Sequence, residues 1–270
     1  MSSDSYQYIY GPVHSWRLGV SLGIDPLSTQ DKCCNFNCRY CQLGPTLNCY
    51  CNREVFVPAE KIVAEIRSLP AALKLDVITF SGRGEPTLAK NLGDIIRAVK
   101  EVRPEPIAVI TNAVLMNRVD VQDDLLPADL ILAKLDAFDQ TSLQNMNAPA
   151  PGVKFAAILA GIKEFRGKYA HKLALQIMFT DHNKSQAAQI ADVVRDIGAD
   201  EIELNTPLRP NPCRPLSPEE LSAIKHIFSR CSPAVKTVYE LRQKPVPPLN
   251  KEDTVKRHGT YTVEPRGRPE

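Results

Sequence analysis

Short runs rich in valine and isoleucine alternate along this chain with longer stretches of helical period, and that alternation constrains the fold more than any other feature. Six runs read as strands: Leu18 to Ile24, Val77 to Phe80, Ile107 to Thr111, Leu130 to Leu135, Leu173 to Phe179 and Glu201 to Leu204. Amphipathic segments at about Ala59 to Ser68, Leu88 to Val102, Val153 to Phe165 and Ser185 to Ile197 separate several of them. Consecutive parallel strands need a crossover of helical length, so strand, helix, strand repeated in this way predicts an α/β fold with a parallel sheet. Pro58 suits a first helical position, and Ser217-Pro218-Glu219-Glu220 opens a further helix with an N-cap, a proline and early acids. Its apolar stripe is Leu221, Ile224, Ile227 and Phe228. The expected organisation is one barrel-like domain over residues 1–241. A proline-rich, basic tail over 242–270, with five prolines and seven Lys or Arg against four Asp or Glu, is expected to be extended.

Chemistry concentrates in one segment. Six of the eight cysteines fall between residues 33 and 51 of this 270-residue chain, and the N-terminus has no basic start followed by an apolar run. No stretch approaches the ~18 apolar residues of a membrane span, so a cytoplasmic location without membrane partners is expected. Clustered cysteines in such a chain read as metal ligands rather than disulfides. In Cys33-Cys34-Asn35-Phe36-Asn37-Cys38-Arg39-Tyr40-Cys41, the loop after the first strand, Cys34, Cys38 and Cys41 are spaced to wrap three thiolates around a compact iron–sulfur cluster. Three ligands leave one iron open, which is a catalytic rather than a structural arrangement. The competing reading is a zinc site closed by Cys49 or Cys51. Cys33 is read as a packing or spare thiol.

The Cys-x-x-x-Cys-x-x-Cys spacing resembles that of the radical S-adenosylmethionine (radical SAM) superfamily. The resemblance continues in Tyr40, which looks like the family aromatic beside the adenine. It continues in Phe80-Ser81-Gly82-Arg83-Gly84-Glu85, which looks like the glycine–glutamate segment that binds the methionine ammonium, and in the polar strand ends Thr111-Asn112 and Lys134-Leu135-Asp136. More narrowly, Tyr10-Gly11-Pro12-Val13, the Arg17 to Asp25 stretch and Asn205-Thr206-Pro207-Leu208-Arg209-Pro210 resemble a branch of iron–sulfur oxidoreductases grouped with the wyosine tRNA synthases. The resemblance implies a partial six-unit (β/α) TIM-type barrel of the radical SAM kind, with its site at the C-terminal ends of the strands. It implies a [4Fe-4S] cluster on Cys34, Cys38 and Cys41. It also implies S-adenosylmethionine held by Tyr40, Ser81, Gly82, Gly84, Glu85, Asn112 and Asp136. The family chemistry is reductive cleavage of the cofactor to a 5′-deoxyadenosyl radical that abstracts hydrogen, with an electron donor such as ferredoxin or flavodoxin.

Cys49 and Cys51 depart from the branch; with Cys213 they could contribute to a second cluster. Cys213 is otherwise read as a hydrogen-atom donor or an idle thiol, and Cys231 as packing. His14, His171, His182, His226 and His258 show no metal-ligand spacing and read as surface or supporting groups. Asp136 and Gln176 are expected to point toward the barrel mouth. Thirty-three Lys and Arg against 31 Asp and Glu give no global reason for a polyanionic partner. The substrate is therefore open among a small molecule, a peptide and tRNA. A wyosine-like tRNA reaction is disfavoured because no cysteine precedes Cys33. A non-catalytic metal-binding module would leave the Gly82 to Glu85 segment without a purpose.

Overall fold

The computed structural model describes residues 6–47, 52–240 and 246–258. Eight strands form a single curled sheet in sequence order, β1 (Ile9–Ser15), β2 (Gly19–Ile24), β3 (Val77–Phe80), β4 (Ile107–Thr111), β5 (Leu130–Lys134), β6 (Lys172–Met178), β7 (Glu201–Asn205) and β8 (Val235–Thr237). All neighbours are parallel except the antiparallel pair β1 and β2. The six expected strands are β2 to β7, and the architecture is a partial TIM-type barrel. Its two edge strands lie outside the sequence expectation. Gly11 and Pro12 interrupt β1, and the register shifts between Tyr10 and Val13. Proline cannot donate to a ladder, so such a strand is viable only at an edge. β8 has only three residues, too few to show a period.

Helices α1 (Ala59–Arg67), α2 (Leu92–Lys100), α3 (Val119–Leu125), α4 (Gln140–Asn147), α5 (Phe155–Lys168), α6 (Ala187–Arg195) and α7 (Pro218–Phe228) connect the strands. Ser217 caps α7 as the sequence predicts, and Glu220 completes a reciprocal capping box with it. The short α3 and α4 were not expected; α4 is set by Asp139, whose carboxylate accepts from the Ser142 amide. Part of the stretch expected to be extended is also helical. Helix α8 (Lys251–His258) lies against β1, where the Gly11 amide donates to Thr254 Oγ1 at 3.0 Å and the Leu249 amide to the Gly11 carbonyl at 2.6 Å. Isolated helices of this length are marginal, so this one depends on docking, which periodicity does not report.

Strand alternation sorts the side chains into two sets. One face of the sheet, with Leu22, Ile24, Ile78, Phe80, Val109, Ile131, Leu175 and Ile202, meets the helices in the main core. The other face lines the barrel. At its N-terminal end Val77, Ala108, Leu132 and Ala174 form an apolar floor. One position nearer the mouth on the same face stand Thr79, Lys134, Gln176 and Glu203, so the barrel interior turns polar within one pleat.

Helix α5 approaches the loop after β4 so closely that a Cβ on Gly161 would sit 2.4 Å from the Asn117 amide nitrogen and 2.6 Å from the Met116 carbonyl carbon. Alanine ordinarily favours a helix interior over glycine by about 1 kcal/mol, but a backbone clash of that depth costs roughly 1–3 kcal/mol. Gly161→Ala should therefore lower the midpoint of urea unfolding. Gly167→Ala, on the same helix with nothing within 4 Å of the added carbon, should leave it unchanged or raise it.

Candidate active site

The loop after β2 is clamped onto the loop after β3. The Cys33 amide donates to the Arg83 carbonyl at 3.1 Å, and the Glu85 amide donates to the Cys33 carbonyl at 3.0 Å, adding a parallel rung beyond the strands. Glycine makes this approach possible. A Cβ on Gly84 would lie 1.8 Å from the Cys33 carbonyl oxygen, and Gly82 holds φ +143 with Asp25 Cγ 2.4 Å from where its Cβ would be. Cys33 contributes backbone; its side chain is buried in the core, which pushes its thiol up to about 12.

Cys34, Cys38 and Cys41 are partly exposed on the clamped loop, and the Cys41 amide turns back onto the Cys38 carbonyl at 3.0 Å. Two side-chain amides approach their sulfurs. Asn112 Nδ2 lies 3.6 Å from Cys34 Sγ, and Asn147 Nδ2 donates to Cys38 Sγ at 3.3 Å. Burial, then Glu85, raises the pKa of Cys34, while burial, then Asp136, pushes Cys38 up to about 11. Metal thiolates must be deprotonated, so a metal taken up by these cysteines would release protons. Among the described residues no three Cys, His, Asp or Glu side chains are gathered tightly enough for a single ion. Three thiols on one loop, with amide donors directed at two of them, are a donor set that fits a thiolate-held iron–sulfur cluster. Cys49 and Cys51, named for a zinc site or a second cluster, lie outside the described residues.

Asn112 is itself held by Glu85. Thr87 N, Thr87 Oγ1 and Thr111 Oγ1 donate to Glu85 Oε1 at 3.1, 2.7 and 2.6 Å, and the Asn112 amide donates to Oε2 at 2.7 Å. Glu85 is 2% exposed, and burial raises its pKa. The carboxylate expected to meet a ligand ammonium is thus turned into the protein, where it ties the loop after β3 to the end of β4. Asp136 is similarly engaged. It accepts from the Tyr40 hydroxyl, from Asn147 Nδ2 at 2.8 Å and from the Met178 amide at 2.7 Å. Tyr40 is thereby fixed, with Lys134 Nζ 4.8 Å from its ring centroid. Cys213 is 7% exposed in a small apolar group with Tyr40 and Met146, beside Cys38. Cys231 lies elsewhere, buried against α6, where its Sγ contacts the Ala191 carbonyl at 3.4 Å.

A cavity of about 230 Å³ opens inside the barrel. Of the residues expected around the cofactor, Tyr40, Ser81 and Gly82 line it, whereas Gly84, Glu85, Asn112 and Asp136 stand behind them as support. Gln176 also lines it, as expected from its place on β6. The sequence named Tyr10 and Arg209 only within resemblance motifs and His258 only as a surface or supporting histidine, and it did not single out Arg257. All four line the cavity. Tyr10 shares a 2.6 Å hydrogen bond with Ser81 and, buried, is pushed up to about 12. Asn147, from an unexpected helix, gave no signal beyond its amide chemistry.

The sequence profile of the radical SAM superfamily matches residues 32–194. A UPF0026 protein of Synechocystis sp. is 39% identical over 78% of this chain and 79% of its own length. A second, from Methanocaldococcus jannaschii, is 32% identical over 82% of this chain and 70% of its own. Among solved structures, a radical SAM methyltransferase from Sphaerobacter thermophilus superposes with TM-score 0.62 at 18% identity, over 80% of this chain and 66% of that one. SuiB of Streptococcus suis, bound to S-adenosylmethionine, superposes with TM-score 0.60 at 16% identity, over 80% of this chain and 49% of that one. Likeness at that identity is likeness of fold, and this chain spans only part of those proteins. Among the described residues no helix is long and apolar enough to cross a membrane. The profile match over more than half of the chain, together with the two UPF0026 relatives, shows that this protein belongs to the radical SAM superfamily and is an enzyme of that class.

Proposed function

We propose that Cys34, Cys38 and Cys41 hold a [4Fe-4S] cluster and that S-adenosylmethionine binds beside it at Tyr40, Ser81 and Gly82, for hydrogen abstraction from a substrate in the barrel cavity. The observation that carries this reading is the pair of side-chain amides at the cysteine sulfurs, Asn112 at Cys34 and Asn147 at Cys38. Such donors stabilise thiolate-bound iron and tune its potential. When bound, the reduced cluster supplies the electron that splits the sulfonium into methionine and a 5′-deoxyadenosyl radical.

The chain's own part is positioning. Tyr40, held by Asp136 and Lys134, offers a rigid aromatic face to an adenine. The turn from Ser81 to Gly84 brings backbone carbonyls, rather than the Glu85 carboxylate, within reach of an ammonium. Glu85 serves by fixing Asn112 and the clamp. The apolar floor and the helix layer keep bulk water from the strand side of the cavity. Cys213 acts in packing behind Tyr40. A small electron donor such as ferredoxin or flavodoxin supplies the reductant.

Anaerobic reconstitution should give about four irons per chain. Replacing Cys34, Cys38 or Cys41 singly by alanine should abolish iron binding, while Cys33→Ala retains it. One zinc and no iron in the wild type would defeat the reading. Tyr40→Leu should keep its iron but bind S-adenosylmethionine roughly five- to a hundred-fold more weakly by calorimetry, the range expected for losing about 1–3 kcal/mol of base–aromatic stacking. Glu85→Ala leaves the Thr87 and Asn112 amides without their acceptor. At about 1–3 kcal/mol for each buried orphan, it should depress the unfolding midpoint as well as cofactor binding. Unchanged stability with lost cofactor binding would instead restore Glu85 as a direct ligand.

A further inference from the structure

The cavity wall has a one-sided charge. Among the described residues that line it are the cations Arg17, Arg209 and Arg257, with the His258 ring accepting from Arg209, and no aspartate or glutamate. Hydroxyls supply most of the remaining polar surface, Ser21, Thr79 and Thr206 among them. The chain as a whole carries a net charge of only +2, so this is a local concentration of cations and not a reflection of composition.

The neighbouring charged groups sit behind the wall. Arg17 lies 3.4 Å from Glu203 Oε2 and over Trp16, and Arg257 Nε lies 3.5 Å from Asp25 Oδ2. Burial raises the pKa of both carboxyls, Glu203 to about 7. Arg257 is 11% exposed at its side chain, and its Nη1 is buried without a hydrogen-bond partner among the described residues. A buried guanidinium donor left open beside a cavity is costly unless an acceptor arrives.

Helix α8 builds this wall. It docks on edge strand β1 and ends at His258, whose Nε2 lies 2.6 Å from Arg209 Nη2 and whose carbonyl accepts from Gln42 Nε2 at 2.7 Å. It therefore joins one edge of the open sheet to the loop after β7 and to the cysteine loop.

We infer that the cavity is an oxyanion site, and that the substrate is a small molecule whose carboxylate or phosphate is gripped by Arg209 and Arg257 beneath α8. This rests on the reading of the cavity as the reaction chamber. Guanidinium forks match both groups bidentately. The strap across the open side favours a small molecule over a polymer, which would need an open groove.

Titration of the full chain with inorganic phosphate and, separately, with succinate distinguishes the two oxyanions. Wild type should bind at least one of them, with chloride as the ionic-strength control. Arg209→Gln or Arg257→Gln should weaken that binding at least ten-fold, while Arg195→Gln, on the exposed face of α6, leaves it within two-fold. Both cavity variants should keep wild-type iron content and S-adenosylmethionine affinity within two-fold. The inference is overturned if wild type binds neither anion, if neither cavity variant weakens binding, or if Arg195→Gln weakens it equally. It is also overturned if cofactor affinity falls in parallel with oxyanion affinity, because the arginines would then hold the methionine carboxylate. Oxyanion binding that depends on Arg257 in a protein that reconstitutes no iron would support the site while removing the radical reading beneath it.

Discussion

The buried carboxylate of Glu85 is the interaction on which the site depends. It takes four hydrogen bonds from groups at the ends of two neighbouring strands, and one of those groups is the backbone of Asn112, whose side chain reaches the cysteine loop. A desolvated carboxylate is unfavourable by itself, and only a nearly complete set of donors makes it tolerable. Loops that would otherwise move independently are thereby held in one arrangement. The neighbouring Cys33 and Gly84 rung adds a backbone contact that any side chain at Gly84 would forbid.

The barrel interior divides along its axis. An apolar floor of Val77, Ala108, Leu132 and Ala174 closes the N-terminal end. Above it run Arg17, Glu203, Gln176 and Lys134, linked in sequence by an ion pair and hydrogen bonds. This polar column rises to Tyr40 and Asp136 beside the cysteines. Stability thus resides in the floor and the helix layer, and chemistry in the mouth, the division expected of parallel barrels. The cysteine loop needs no regular structure of its own, because the barrel below and the clamp beside it supply the rigidity.

Legibility followed locality. Strands β2 to β7 could be read because each is a short run with apolar residues on its buried, helix-facing side. Cys34, Cys38 and Cys41 could be singled out as a proposed ligand set because one loop carries all three, so spacing in sequence is spacing in space. The glycines at 82 and 84 were legible as a close approach, although not what they approach. Helix α8 was misjudged because seven of its eight residues are polar, which leaves no apolar stripe, and it docks through Thr254 and Leu249 on Gly11. Glu85 was placed in the right segment, but its internal donors were not legible, since a side chain's partners there depend on which groups the next strand presents.

By itself, then, the sequence determined the class of fold, the order of its strands and the clustering of three cysteines on one loop, all of which rest on period and spacing within a few residues. Only the tertiary structure decided that Glu85 is an internal anchor, that Asn112 and Asn147 reach the sulfurs, and that Arg209, Arg257 and His258 meet over one cavity. Those facts join residues dozens to more than two hundred positions apart. Such pairings are selected by the folded backbone, which brings donors and acceptors together in three dimensions, and no local pattern in the chain encodes them.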